Sequence, residues 1–247
     1  MRRGIPFYHA KTEAEFREDV YERYDELVTR QTALHLADNL HGAYPFQNLL
    51  DYLRRWLPET ERALRVADLG CSVGRIAAEM AREHPEWDVY GLDLSYQMLR
   101  QAREFWGDGK TLRPNLMRYG WGTPSLQTEP LVNLHFALAR AEELPFADDS
   151  LDVIVNTFLI DRLSDPLSVF AEWRRVLRPG GRIITVSPLN FLRPTAWRTV
   201  HPPVKILLEL QQLGWSVTDW TDPLKLQEPM DARGNSVLWQ TIACVLE

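Results

Sequence analysis

The chain has 247 residues, 45% hydrophobic and 25% charged, with a formal net charge of -6 and two cysteines. A chain of this length can bury about 70 to 75% of its unfolded surface, so a sizeable core is available without disulfides or structural metal. The composition excludes a disordered chain, no run of about 18 apolar residues offers a membrane span, and the acidic balance argues against nucleic acid as a partner.

In chain order, residues 1–30 carry acids throughout and lack the basic, apolar and small-residue order of a secretory signal. Phe16, Val20, Tyr24, Leu27 and Val28 recur at three- and four-residue spacing, which predicts an amphipathic helix. Further helices are expected over Thr32–Leu40 and Phe46–Leu57, separated by Gly42 and Pro45. Residues 1–60 therefore read as an N-terminal helical cap, with Pro58–Glu61 as the hinge. From residue 61 onward, apolar strands alternate with helices. Strands are expected at 64–69, 88–93, 134–139, 151–156 and 182–187, and helices at 74–84, 95–106 and 165–177. This alternation predicts an α/β fold with a doubly wound, mainly parallel sheet. A helix over Val204–Leu213 and strands at Trp215–Trp220 and Ser236–Leu246 close the chain. Residues 107–131 form an unusually long Gly- and Pro-punctuated insertion. Arg113, Arg118, Tyr119 and Trp121 suit it either to close over a ligand as a lid or to pack on itself at the surface.

The densest stretch is Val66-Ala-Asp-Leu-Gly-Cys-Ser-Val-Gly74, where a strand runs into Asp68, Gly70 and Gly74 and then a helix. The glycines permit a tight turn and close approach of a ligand to the backbone. Asp93 ends the next apolar run, where a doubly wound fold commonly sets a carboxylate on ribose hydroxyls. A dinucleotide-binding reading is the main rival, but its G-x-G-x-x-G requires glycine where Ser72 stands. Asp68 and Asp93 also have a purely structural reading as helix caps or turn residues.

These residues, together with Ala141-Glu-Glu-Leu-Pro-Phe146, Ser150-Leu-Asp-Val-Ile-Val155 and Val176-Leu-Arg-Pro-Gly-Gly-Arg182, resemble the class I S-adenosylmethionine-dependent methyltransferases. The resemblance covers roughly residues 60 to 190 in the expected order. It implies a seven-stranded Rossmann-like methyltransferase sheet, with the methyltransferase domain over 61–247. It also implies S-adenosylmethionine as cofactor and S-adenosylhomocysteine as product. By the same resemblance, the Gly70 and Cys71 backbone surrounds the methionine portion, Asp68 fixes the turn and receives cationic or water-mediated contacts, Gly74 belongs to the same cofactor-binding motif, and Asp93 accepts from the ribose. Leu94 and Met98 flank the adenine, Ala141 and Glu142 stand at its edge, and Asn156 approaches the methionine. Two positions depart from the family pattern. Ser72 replaces a common middle glycine. Arg140 stands where an acid usually accepts from the adenine amino group, so either a backbone carbonyl replaces that contact or Arg140 turns to pair with Glu142 or Glu143.

Cys71 sits at a helix N-terminus, where a thiolate is favoured, but no histidine base follows at a recognisable spacing, and a buried structural thiol is expected. Cys71 and Cys244 lie far apart on expected buried elements, which points to a reducing cytoplasm rather than a disulfide framework. The six histidines give no metal signature.

Methyl transfer from a sulfonium requires mainly positioning, so no universal catalytic residue is readable. The acceptor is expected beyond strand four, with Asp161, Arg162 and Tyr44 as candidates and Phe46, Tyr8 and His9 as further wall residues. A narrower resemblance links Gly70–Arg75, Leu159–Pro166 and Ser187–Phe191 to the methyltransferase domain of ovothiol biosynthesis enzymes. It implies an imidazole nitrogen of a thiol-bearing histidine as acceptor. The sequence thus predicts a methyltransferase acting on a small molecule with a heteroaromatic or amino-acid-like nitrogen. A non-catalytic cofactor-binding module that regulates or scaffolds a partner is the alternative. A protein acceptor stays open, as does the oligomeric state.

Overall fold

Strands β1 (Arg65–Leu69), β2 (Asp88–Asp93), β3 (Leu134–Leu138), β4 (Leu151–Thr157), β5 (Leu177–Ser187), β6 (Val217–Pro229) and β7 (Ser236–Leu246) form one sheet in the order β3-β2-β1-β4-β5-β7-β6. The computed structural model describes residues 1–9, 11–18, 25–191 and 194–247. β1 to β5 pair in parallel, β7 runs antiparallel between β5 and β6, and strand order reverses between β1 and β4. The fold is the mainly parallel Rossmann-like sheet expected, with the antiparallel pair at one edge.

The helices are α1 (Glu13–Glu18), α2 (Asp25–Leu36), α3 (Asp38–His41), α4 (Gln47–Trp56), α5 (Arg75–Glu83), α6 (Tyr96–Ala102), α7 (Val169–Val176), α8 (Pro194–Val200) and α9 (Val204–Gln212). Both sheet faces are covered, which is why the strands read as near-continuous apolar runs. Val66, Val153 and Val155 point into a core shared with Leu49 and Leu53 of α4 and with α5 and α6. Ala67 and Ile154 point the opposite way, against Phe170, Trp173, Ile206 and Leu210. The cap segment therefore packs directly into one of the two cores of the sheet.

Several expected boundaries move. The helix expected over Thr32–Leu40 already includes Asp25 among the described residues and breaks at Ala37, and the left-handed Gly42 (φ 75°) ends the short helix that follows. Val20 and Tyr24 lie outside the described residues. The helix expected from 165 starts at Val169, because Asp165 Oδ1 accepts from the amides of Leu167 and Ser168 and turns the chain first. β6 runs well past Trp220, because Leu224 to Pro229 continue to pair with Thr241 to Ser236. That longer ribbon carries Glu228 and Trp239 over the mouth of the sheet.

The insertion at 107–131 is pinned away from the sheet mouth. Leu116 and Leu126 are buried, and short bridges join Leu112 to Leu126 and Leu116 to Gly122. The Arg118 guanidinium and the Tyr119 hydroxyl both donate to Glu26 at 2.7 Å, and Trp121 meets His41 edge-on.

One buried carboxylate ties the segment before β1 to the sheet. Asp152 accepts from the Arg62 guanidinium, from the Arg65 amide at 2.8 Å and from Arg178 at 2.8 and 2.9 Å. Burial opposes its ionisation, but these donors outweigh burial and hold the carboxyl below the ordinary range. Its stabilisation is therefore complete above the unfolded carboxylate value and is lost as pH falls through the lowered folded value. Asp152→Asn is expected to cost about 3 kcal/mol at neutral pH, read by urea denaturation. The variant should also lose less stability than the parent when pH is taken below 4.

Candidate functional site

The turn from β1 into α5 is shaped by three left-handed residues: Gly70 (φ 73°), Ser72 (φ 52°) and Gly74 (φ 79°). Serine at the middle position explains why glycine is common there, since a side chain must adopt a conformation that L-residues disfavour. The turn is clamped to the end of β2. Gly70 and Cys71 donate their amides to the Leu92 carbonyl at 2.8 and 3.0 Å, and Ser72 donates to Asp93 Oδ2 at 2.8 Å. Asp93 Oδ1 accepts from the Ser95 amide at 2.7 Å, which fixes the carboxylate at the strand end.

A cavity of about 580 Å³ opens beyond the carboxyl ends of β1, β2 and β4, at the point where strand order reverses. Asp68, Gly70, Cys71, Asp93, Leu94, Met98, Ala141 and Glu142 line it, as do Tyr44 and Arg162 from the acceptor-side candidates. Among the described residues, Asp68 Oδ1, Ser72 Oγ and Glu142 Oε2 in this wall have no hydrogen-bond partner. Orphaned buried polar atoms of this kind suit a polar ligand. Asp68 is buried and its carboxyl is pushed up to about 7. Burial is the main cause, the Ala77 amide bond opposes it, and Asp93 adds to it. Burial first, then Asp93 and Asp68, likewise raise the Cys71 thiol well above its ordinary range, so it is a neutral wall group.

Several expected site residues, Gly74, Asn156, Asp161, Tyr8 and His9, do not line the cavity. Gly74 serves packing: a Cβ there would lie 2.7 Å from the Phe136 ring. Asn156 is fully buried and donates to Thr185 Oγ1 at 2.8 Å. Asp161 is buried and accepts from Ser187 Oγ at 3.1 Å, leaving Arg162, 3.5 Å from it, as the member of the pair at the wall. Tyr8 is 62% exposed, and neither it nor His9 lines the cavity. None of residues 107–131 lines it among the described residues, so Arg113, Arg118, Tyr119 and Trp121 form no lid in this structure.

Arg140 turns to Glu142, 3.2 Å away, while the Ala141 carbonyl accepts from Trp173 Nε1 at 2.9 Å. The departure from the family pattern is thus met by a local ion pair at the rim.

In the other half of the cavity, Tyr44 and Phe46 are joined by Gln31, His35, Phe158, Glu228 and Trp239. Phe158 follows β4 with φ 56° and stacks on Phe46 at 6.0 Å, and Trp239 meets Phe158 edge-on at 5.5 Å. A bulky residue held at positive φ beside a cavity is a mark of a functional site. Glu228 is held there by Arg30 at 3.0 Å and by Trp239 Nε1 at 2.9 Å. Gln31 and His35 from α2 complete the wall with Tyr44.

Residues 67–185 match the methyltransferase domain family. The chain is 33% identical over 148 residues to a bifunctional biotin-biosynthesis protein of Saccharophagus degradans, covering 59% of this chain and 22% of that protein. It is 30% identical over 142 residues to a ubiquinone/menaquinone biosynthesis C-methyltransferase of Desulfotalea psychrophila, covering 57% and 46%. The chain thus spans less than half the length of these curated relatives. Among solved structures, a SAM-dependent methyltransferase from Aquifex aeolicus aligns over 91% of this chain and 99% of its own with a TM-score of 0.53 at 16% identity. A Haemonchus contortus phosphoethanolamine N-methyltransferase in complex with S-adenosylmethionine aligns over 86% and 46%, with a TM-score of 0.58 at 19% identity.

The cavity wall fits that cofactor: acids for a cation and hydroxyls, apolar Leu94 and Met98 for a purine, and orphaned acceptors between them. A cation bound against Asp68 favours its ionised form, so affinity should rise with pH through about 7. Calorimetric titration with S-adenosylmethionine at pH 6 and pH 8 is expected to show up to about tenfold tighter binding at the higher pH. Asp68→Asn should remove that part of the dependence.

Proposed function

We propose, on the premise that the core of this chain belongs to the class I S-adenosylmethionine-dependent methyltransferases, that it methylates a small molecule bearing a heteroaromatic or amino-acid-like nitrogen. The observation that carries this reading is the aromatic chamber of Phe46, Phe158, Trp239 and Tyr44 beside the motif residues, with charged groups at its edge. Flat faces suit a planar ring. Arg162 suits a carboxylate, and Glu228 suits an ammonium. The relatives and structural neighbours include proteins named for methylation at carbon, oxygen and nitrogen, so the acceptor atom is inferred from the chamber and the chain's own segments rather than from them. The segments Gly70–Arg75, Leu159–Pro166 and Ser187–Phe191 favour the imidazole of a thiol-bearing histidine as the specific acceptor. Free, buried Cys71 and Cys244 accord with a reducing cytoplasm.

In this reading the bound cofactor supplies an electrophilic methyl group on a sulfonium. The protein holds it through Asp68, the Gly70 and Cys71 backbone, and Asp93 toward the ribose hydroxyls, with Leu94, Met98, Ala141 and Glu142 around the adenine. Gly74 and Asn156 act from behind the wall, by shaping the turn and by bracing β4 against β5. The leaving thioether is neutral and needs no general acid, so the chain's work is to orient the acceptor and exclude water. The aromatic wall performs both tasks by packing on the ring faces.

Incubation with methyl-labelled cofactor and a panel of thiol-bearing histidine, histidine and simple imidazoles is expected to yield one product heavier by a methyl group. Cofactor binding without transfer to any small acceptor would instead favour a non-catalytic binding module. Asp93→Ala should weaken cofactor binding about tenfold while circular dichroism stays unchanged. Glu228→Gln and Arg162→Ala should each raise the acceptor KM about tenfold with a smaller effect on kcat.

A further inference from the structure

The chamber holds a chain of three side chains whose polar groups the transfer step described above leaves unused. His35 stands between Gln31, one turn earlier on α2, and Tyr44, in the segment after α3. Its Nε2 lies 3.1 Å from Gln31 Oε1 and its Nδ1 lies 2.8 Å from the Tyr44 hydroxyl. All three line the cavity. With the Gln31 amide turned so that Oε1 faces Nε2, Nε2 carries the imidazole proton and Nδ1 is a bare lone pair that accepts the Tyr44 hydrogen. Burial and then the Arg75 guanidinium keep the His35 ring neutral, against a weaker opposing pull from Asp38. Burial likewise keeps Tyr44 a phenol. Arg75 fixes both partners: its guanidinium lies 4.3 Å from the Tyr44 ring centre and donates to the His35 carbonyl at 3.1 Å.

We propose that Tyr44 is a specificity residue: with its one proton committed to His35, its oxygen offers only lone pairs to the chamber and so selects acceptors that carry a ring N–H. His35 and Gln31 are the positioning residues that impose this polarity. The inference rests on the reading of the acceptor as a heteroaromatic nitrogen compound, and it adds a chemical consequence. An azole with one N–H and one bare nitrogen docks its N–H on Tyr44, and this leaves the lone pair of the other nitrogen as the nucleophile. The new nitrogen–carbon bond forms as the sulfur–carbon bond breaks, and that electron pair stays on sulfur. The ring becomes a methylazolium cation whose N–H proton is later lost to water. Because the ring gains positive charge during transfer, its N–H becomes a stronger donor, and the bond to Tyr44 tightens in the transition state. The same contact fixes which of the two nitrogens is methylated.

The test uses the full chain saturated with S-adenosylhomocysteine and compares, by calorimetry, histidine and thiol-bearing histidine with thiazolylalanine, which has a similar shape but no ring N–H. The parent protein is expected to prefer the imidazoles by about fivefold or more. Tyr44→Phe should reduce that preference to within about twofold while binding S-adenosylhomocysteine as before. Gln31→Leu lets the imidazole proton move to Nδ1, which frees the Tyr44 hydrogen for the chamber. It should reduce the preference without touching Tyr44. A preference that survives in both variants overturns the inference while leaving the acceptor reading intact. A parent protein that binds neither the imidazoles nor the thiazole overturns both.

Discussion

The site depends on the clamp between the β1–α5 turn and the end of β2. Two amides of the turn share the Leu92 carbonyl and a third is held by Asp93, so a segment with three left-handed residues has one stable position. Left-handed backbone is costly for Ser72, and the bond to Asp93 helps offset that cost. The turn in turn sets the start of α5 and hence the position of Arg75. If the clamp loosened, both halves of the cavity would lose their shared floor.

Arg75 transmits this order to the N-terminal segment. Its guanidinium pairs with Asp38 at 2.7 and 2.9 Å, bonds the His35 carbonyl and covers the Tyr44 ring. With 8% of its side chain exposed, it is a buried charge whose partners must stay in place. The N-terminal helices are therefore part of the chamber's framework rather than a loose cover. The β6–β7 ribbon reaches the same chamber from the opposite side, tied to α2 through Glu228 and Arg30. Cap, sheet and edge ribbon meet at one place because the cap supplies Asp38 to Arg75 of the sheet domain and Arg30 to Glu228 of the ribbon.

This division of labour suits group transfer by displacement. The motif half presents acids and backbone to a charged, polar ligand, and the far half is an aromatic wall edged by Arg75, Arg162 and Glu228. Such a wall excludes water from the transfer and holds a flat acceptor by its faces. The buried, neutral His35 and Tyr44 fit this economy, since a charged group there would need its own counterion.

The sequence by itself determined the sheet class, the strand run through β5 and most of the motif half of the cavity. Glycine at 70 and 74 and acids at 68 and 93 are demanded locally, by left-handed turns and strand ends, so their residue types and spacing are legible without the fold. Within the motifs, Gly74 and Asn156 stand behind the cavity wall rather than in it. Both are needed for backbone geometry or packing just behind the wall, and a linear pattern does not distinguish the two sides of a strand end. Only the tertiary structure brought Gln31, His35, Phe158, Glu228 and Trp239 together. No local backbone rule constrains their identities, and they meet only because Arg75 docks α2 on the sheet and β6 continues beyond Trp220. The insertion at 107–131 was likewise decided by tertiary contacts, since Glu26 fixes Arg118 and Tyr119 at the cap instead of over the cavity.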